Sequence, residues 1–409
     1  MVWVFWWGRI AFLVMVVLCS FPGQALAQSA TPTPVALAES TPTEATVSAT
    51  TPTEFWLPSE RPSGNTPNDR IWLTFYPVSR TSSPVPAVVL LHYLGAASNK
   101  EMHRFGRYLS KRGVASAVVT LPYHLRRGSR GERPIDHFVA PNAATVVQAF
   151  EQSISDVSTV VSWLSRQPGI DSQRIGAVGI SLGAIITHLV MGRDKRVNAG
   201  VDMLGGGDLV DIYHHSVIPK LFLRGRTASV TPQDEAMLRS VDPLAEAGLN
   251  QPRRVLMIQG ARDLFIPPKN AEKLWNALGK PPIQWLDINH LGLQLAPKST
   301  MKTTEVFLRQ VWAGQPLENI KAPTIRVPTL KAGLITGLDS LVTPAVQLQA
   351  FKLGSRRDHL PFLNANVGMS GRGPFVSVAA TINRFADIGL GRRLNSSRFR
   401  PYVSFHMVF

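Results

Sequence analysis

Gly179-Ile180-Ser181-Leu182-Gly183 is a Gly-x-Ser-x-Gly pentapeptide at the junction of two differently patterned segments. Arg174 to Ile180 reads as a short buried strand, and Leu182 to Met191 reads as a helix. A serine between a strand and a helix sits on a tight turn with strained φ and ψ. Glycines two positions to either side leave room for the neighbouring backbone. The helix N-terminus beyond it would stabilise negative charge developing beside the hydroxyl. This context suits acyl transfer by a serine nucleophile.

Ser181 needs a base, and the base needs an orienting acid. Ten histidines compete for the first role. His188 lies on the helix that follows Ser181 and reads as core or surface. His214 and His215 lack a third metal ligand, and no metal site is expected. His103, His124 and His137 fall in an arginine-rich region, and His406 lies on the last β segment. His290, in Asn289-His290-Leu291-Gly292, follows a strand at Ile283 to Ile288. A turn after the last strand of a parallel sheet is where a base can swing over the sheet's carboxyl edge. The preceding strand, Arg254 to Gln259, runs into Gly260-Ala261-Arg262-Asp263, which puts Asp263 at the matching turn. Asp208, in Gly205-Gly206-Gly207-Asp208, is the rival acid.

The elements that must position these groups alternate along the chain. Ile71 to Pro77 and Pro86 to His92 read as strands, the second a near-continuous apolar run suited to burial on both faces. Asn99 to Arg112 reads as an amphipathic helix and Val114 to Leu121 as a strand. Val147, Phe150, Ile154, Val157, Val161 and Leu164 mark one face of a helix over Ala144 to Ser165. A strand at Ala199 to Leu204 and a helix at Pro268 to Leu278 complete the series. Such alternation predicts an α/β domain, a mainly parallel sheet wrapped by helices.

Together these motifs resemble the α/β-hydrolase superfamily, and within it the dienelactone-hydrolase and acetyl-xylan-esterase-like serine esterases. The matching residues are Leu91-His92-Tyr93-Leu94-Gly95, the pentapeptide around Ser181, Gly260 to Asp263, and His290-x-Gly292. The likeness covers roughly Phe55 to Gly314, and its chain order is Ser181, Asp263, His290. It implies that Ser181 attacks an acyl carbon, His290 moves the proton, and Asp263 fixes the imidazole. It also implies an oxyanion hole from the backbone N–H groups of Tyr93 and Leu182, with Gly179 and Gly183 shaping the elbow. Tyr93 departs from the family, which usually has glycine after the histidine. His92 is expected to support that turn. The reaction implied is carboxylic ester hydrolysis with no metal or organic cofactor. A catalytically idle scaffold in an envelope-anchoring or interaction protein is the alternative. A peptidase of the prolyl-oligopeptidase type is not expected, since the chain leaves no room for a propeller.

Composition frames the rest. The 409 residues carry a net charge of +16, with 44% hydrophobic and 17% charged residues. Arg and Lys are dispersed and no nucleic-acid-binding motif is present, so anionic lipid or polysaccharide is the more economical partner. Arg126, Arg127, Arg130 and Arg133 form either a solvated loop or a holder for an anionic substrate. Residues 1–27 read as a secretory signal, with Arg9, an apolar core at Ile10 to Leu18 and Ala25-Leu26-Ala27 before the cut; an uncleaved anchor is the alternative. Cys19, the single cysteine, lies within it, so disulfides are not expected. Residues 28–53 are a Thr/Pro-rich tether, and the hydrolase-like unit is placed at 54–315.

From 316 to 409 an antiparallel β module is expected. Val346, Leu348 and Ala350 alternate with polar residues, as do Leu363 to Met369, Val376 to Ile382 and Val403 to Phe409. The last segment ends in phenylalanine and resembles the terminal strand of bacterial outer-membrane barrels. Only four or five strands are legible, however, and a single-chain barrel takes at least about eight, so closure would need several chains. A small soluble sheet packed on the hydrolase unit is the other reading. An exported protein, periplasmic or associated with the outer membrane, is the location these features imply.

Overall fold

The computed structural model describes residues 51–79, 83–222, 230–250, 254–295, 297–317, 320–321, 329–338, 341–353, 363–383 and 385–408. The leader at 1–27, the tether up to residue 50 and the terminal Phe409 lie outside the described residues.

Eight strands make the first sheet: β1 (Thr53–Pro58), β2 (Arg70–Tyr76), β3 (Val85–Leu91), β4 (Ala115–Val119), β5 (Ile170–Ile180), β6 (Val197–Met203), β7 (Arg254–Gly260) and β8 (Ile283–Leu286). Their order is β1-β2-β4-β3-β5-β6-β7-β8. β1 and β2 pair antiparallel at one edge, and every pairing from β4 to β8 is parallel. The apolar runs of β3, β4 and β5 are buried from both sides, as central parallel strands require. After β3 the chain steps outward to β4 and then back across to β5. That reversal opens a crevice at the carboxyl ends of β3 and β5, where Tyr93 and Ser181 follow directly.

Helices cover both faces of the sheet. On one, the helix Ala143–Ser165 buries Phe150, Ile154, Val157, Val161 and Leu164, and Asn142 caps its start by accepting from the Ala144 N–H at 2.9 Å. The helix Leu182–Arg193 is buried nearly all round because it lies in the centre of this layer. On the other face, Lys100–Ser110 packs with the helix Pro297–Trp312. The second of these escapes sequence reading, since Thr300, Thr303 and Thr304 occupy much of its buried side.

The C-terminal module differs from expectation. It has six strands: β9 (Thr329–Thr336), β10 (Thr343–Leu353), β11 (Leu363–Ser370), β12 (Gly373–Asn383), β13 (Ala386–Arg393) and β14 (Arg400–Val408). All neighbours are antiparallel, and β14 pairs back onto β9, so the sheet is a closed barrel within one chain. Neither several chains nor an open sheet is involved. Closure at so few strands rests on close backbone approach at glycine. A Cβ on Gly333 would lie 2.0 Å from the Phe405 carbonyl oxygen, and one on Gly389 would lie 2.1 Å from that of Val378.

Candidate active site

Ser181 follows β5 with φ +55° and ψ −114°, an uncommon backbone conformation for a residue with a side chain. The fold tolerates it because both flanking glycines have no room for anything larger. A Cβ at Gly179 would sit 2.0 Å from the Gly183 carbonyl oxygen, and one at Gly183 would sit 2.5 Å from that of Leu91. The strained turn lifts the hydroxyl above the sheet's carboxyl edge. Its own N–H is held by the Met203 carbonyl at 2.8 Å.

The structure brings His290 and Asp263 to this hydroxyl. His290 Nε2 is 2.8 Å from Ser181 Oγ, and His290 Nδ1 is 2.6 Å from Asp263 Oδ2. An ionised carboxylate only accepts, so Nδ1 carries the ring proton and Nε2 is left as acceptor for the serine hydroxyl. Asp263 Oδ1 meanwhile accepts from the N–H groups of Phe265 at 2.8 Å and Ile266 at 3.0 Å, which fixes the carboxylate's orientation. The turn-holding role and the contact with His290 therefore use different oxygens. Phe265 stacks on the imidazole, with centroids 5.0 Å apart and planes at 19°. The rival acid is excluded by position: Asp208 caps the helix Leu209–His215 and pairs with Lys273 at 2.5 Å. His188 is buried and bonded to Asp202 at 2.9 Å, away from Ser181's partners.

Tyr93 and Leu182 flank the same spot. Leu182 is the first residue of its helix, where N–H groups have no intrahelical acceptor. The Tyr93 turn is held by two buried imidazoles that sequence reading only half anticipated. His92 donates from Nδ1 to the Tyr93 carbonyl at 2.8 Å and accepts from the Leu121 N–H at Nε2 at 3.1 Å. His124 accepts from the Gly95 N–H at 2.9 Å, with its own Nδ1 2.8 Å from the Pro122 carbonyl. Each works as a neutral ring, because each must accept at Nε2.

Burial, with the Arg127 charge nearby, lowers the His92 pKa to about 4 and pushes that of His124 well below its ordinary value. In the unfolded chain His92 takes up a proton near its ordinary value of 6.5, and in the folded chain only near 4. Stability from this ring is thus complete above pH 6.5 and is lost as pH falls toward 4, by ~3 kcal/mol in all. The tryptophans of the described residues all lie before residue 313, so their fluorescence reports on this unit alone. Urea unfolding followed that way is expected to weaken across this window, and His92→Gln to flatten the slope. An equal slope in both proteins would remove His92 as the cause.

The arginine-rich stretch is neither solvated loop nor substrate holder as a unit. Arg127 is fully buried, bonding the Thr120 carbonyl at 3.1 Å and Asp156 at 2.6 Å, and it braces the backbone beneath the turn. Arg126 pairs with Glu54 and lies over Trp72, while Arg133 pairs with Asp136. Two small cavities adjoin Ser181 and His290, and none of the four arginines lines either. One, of about 80 Å³, lies between Ser181, Leu94, Phe138, Ile185, Leu209 and Ile266 and has no charged residue in its wall. The other, of about 110 Å³, lies between His290, Tyr93, Met102, Ile180, Leu204 and Leu293, with Glu101 and Arg104 its charged members. Among the described residues no cluster of three or more His, Cys, Asp or Glu side chains is arranged to hold a metal ion.

A parallel sheet with this strand order, an elbow after β5 and a histidine beyond β8 give the chain the α/β-hydrolase fold. The prolyl oligopeptidase family model matches residues 148–290, a stretch that contains Ser181, Asp263 and His290. YitV of Bacillus subtilis (strain 168), an esterase by name, is 24% identical over 233 residues, which is 54% of this chain and 88% of YitV. Among solved structures, the acylaminoacyl peptidase of Pyrococcus horikoshii superposes with a TM-score of 0.51 at 17% identity, over 68% of this chain and 44% of that one. Acetyl xylan esterase 1 of Thermoanaerobacterium sp. does so at 0.50 and 16%, over 65% and 85% of the two chains. At these identities the two structures speak for the fold.

Proposed function

We propose that the chain is a serine esterase that hydrolyses small, uncharged carboxylic esters through an acyl-enzyme. The observation that carries this reading is the continuous hydrogen-bonded line from Asp263 through His290 to Ser181, set between two small apolar cavities. Ser181 Oγ attacks the ester carbonyl carbon as its proton passes to His290 Nε2. The imidazolium formed faces the Asp263 carboxylate, and the carbonyl oxygen gathers negative charge beside the Tyr93 and Leu182 N–H groups. Each such donor contributes on the order of 3 kcal/mol to the transition state. Collapse expels the alcohol, which takes the proton from His290. Water, deprotonated by the same ring, then releases the acid and restores Ser181.

The cavities favour esters over peptides. A peptide brings amide groups on both sides of the bond, and these lose hydrogen bonds in apolar walls. Both spaces are also well below the roughly 300 Å³ at which drug-sized ligands begin to fit, so short acyl and alcohol groups suit them. The family match keeps peptide hydrolysis as the second reading. Profiling p-nitrophenyl esters of increasing acyl length against acylated dipeptide amides separates the two. Highest kcat/KM is expected on acyl chains of a few carbons, with an ester that carries its carboxylate into the Ser181 cavity at least about tenfold poorer, since no charged residue lines that cavity. Faster cleavage of the amides than of any ester would replace esterase with peptidase. Export is part of the same proposal and rests on the leader's sequence; mature protein beginning at Gln28 would agree with a cleaved leader, and recovery of the chain in the cytoplasmic fraction would contradict export.

A further inference from the structure

The C-terminal barrel is built the opposite way from a water-soluble one. Each strand sends a polar side chain into the lumen: Lys331, Gln347, Asn366, Ser377, Asp387 and Ser404, all buried. Each also sends apolar side chains outward, for example Leu334, Leu348, Val367, Val378, Leu390 and Met407. Of these, Leu348, Val367, Val378 and Leu390 are exposed, Leu334 and Met407 are half-buried, and Phe405 on β14 is exposed as well. In water this arrangement would be unfavourable twice over, leaving apolar surface wet while ionised and amide groups are dehydrated.

The lumen offsets most of its dehydration internally, although Gln347 Oε1, Gln349 Oε1, Asn366 Oδ1 and His406 Nε2 are buried without a hydrogen-bond partner. Lys331 Nζ meets Asp387 Oδ2 at 2.5 Å and donates to Asn364 Oδ1 at 3.1 Å. Thr381 donates to Asp387 Oδ1 at 2.7 Å, Gln347 to Ser404 at 2.8 Å, and Tyr402 to Ser377 at 2.8 Å. Removing the outer surface from water has no such internal answer, so an occupant must do it. From this polar-in, apolar-out barrel we infer that the module sits in the hydrocarbon of a lipid bilayer as a filled anchor, with no pore.

Four observations favour lipid over a protein partner. The apolar surface follows all six strands, whereas a second copy or another protein would cover one side. The sheet has no open edge, the condition for β-structure in hydrocarbon. Strands of 8 to 11 residues come close to the roughly 9 to 11 that a tilted span requires. Finally, the end formed by the β11–β12 and β13–β14 turns carries exposed Arg372, Arg398 and Arg400, with Arg392 over the exposed Phe399 ring at 5.5 Å. Basic and aromatic side chains at one rim suit an anionic headgroup layer. The filled lumen gives the barrel an anchoring role, and its lipid contact does not depend on what Ser181 does.

The test uses the full-length chain, reconstituted from detergent into vesicles of phosphatidylethanolamine and phosphatidylglycerol. After flotation and alkaline carbonate extraction, detected by immunoblot, the protein is expected at the top of the gradient. The pair Val378→Arg and Leu390→Arg should lower vesicle-bound protein by about tenfold or more. A spin label at Val367→Cys in a Cys19→Ser background guards against simple misfolding. It should contact oxygen dissolved in the bilayer, whereas a label at Ser377→Cys, facing the lumen, should not. Recovery of the chain without detergent as a monodisperse monomer or dimer that stays at the bottom of the gradient overturns the inference. So does a label at 367 that is reached by an aqueous nickel chelate and not by oxygen.

Discussion

Ser181→Ala is expected to lower kcat for ester hydrolysis by on the order of a millionfold, to the level set by substrate positioning alone. The reasoning is geometric. Among the described residues, the hydroxyl at this position is the one held 2.8 Å from a ring nitrogen that is itself oriented by a carboxylate. Alanine removes the nucleophile and leaves the elbow's backbone, the two glycines and the buried helix in place. KM, circular dichroism and the unfolding midpoint should therefore change little. Activity within tenfold of the wild type, with the protein folded, would show that another group attacks the ester.

The second large effect is expected at Asp263→Asn, with a drop in kcat of about four orders of magnitude. Asparagine can keep the turn by accepting from Phe265 and Ile266 through its oxygen. Its amide then faces His290 as a donor, so Nδ1 must accept and the ring proton moves to Nε2. In that tautomer the imidazole can no longer take the serine's proton, and no carboxylate faces the imidazolium. The comparison is Asp208→Asn, which keeps the helix cap through the amide oxygen and removes a surface ion pair with Lys273. That change should cost at most about 0.5 kcal/mol of stability and leave kcat within a few-fold. Reversal of the two outcomes would reassign the acid.

Much of this site is legible from the sequence because its parts are local. β3 and β5 are short apolar runs, and an apolar run that ends in Gly-x-Ser-x-Gly and passes into a helix marks the elbow by itself. Asp263 and His290 follow from counting strand ends, since in a parallel sheet every such turn lies on the same side. The supporting shell is not legible in this way. His124 reaches Gly95 from 29 residues away, and Arg127 reaches Asp156 across the same distance, through contacts that exist only once the sheet is formed. The two cavities are equally non-local, each lined by side chains from several elements.

The barrel shows a different limit. β9 and β13 carry glycines where a neighbouring backbone approaches too closely for any Cβ, at Gly333 and Gly389. The crowding that closes a narrow barrel thus erases the alternation by which a strand is recognised. Alternation also names two faces without saying which one turns inward. For β12, Val376, Val378, Ala380 and Ile382 read as the buried side of an ordinary sheet. Closure instead puts Ser377 and Thr381 inside and Val378 and Ile382 outside. The same pattern therefore has opposite meanings before and after the strands are joined.

One measurement bears most directly on the central claim: where a fluorophosphonate ester becomes attached when the folded chain is treated with it at neutral pH and digested for mass spectrometry. A single adduct on Ser181, formed in step with loss of ester hydrolysis and absent from His290→Ala, is the predicted result. Full hydrolytic activity in protein stoichiometrically modified at Ser181, or an inactivating adduct at any other residue, would contradict it.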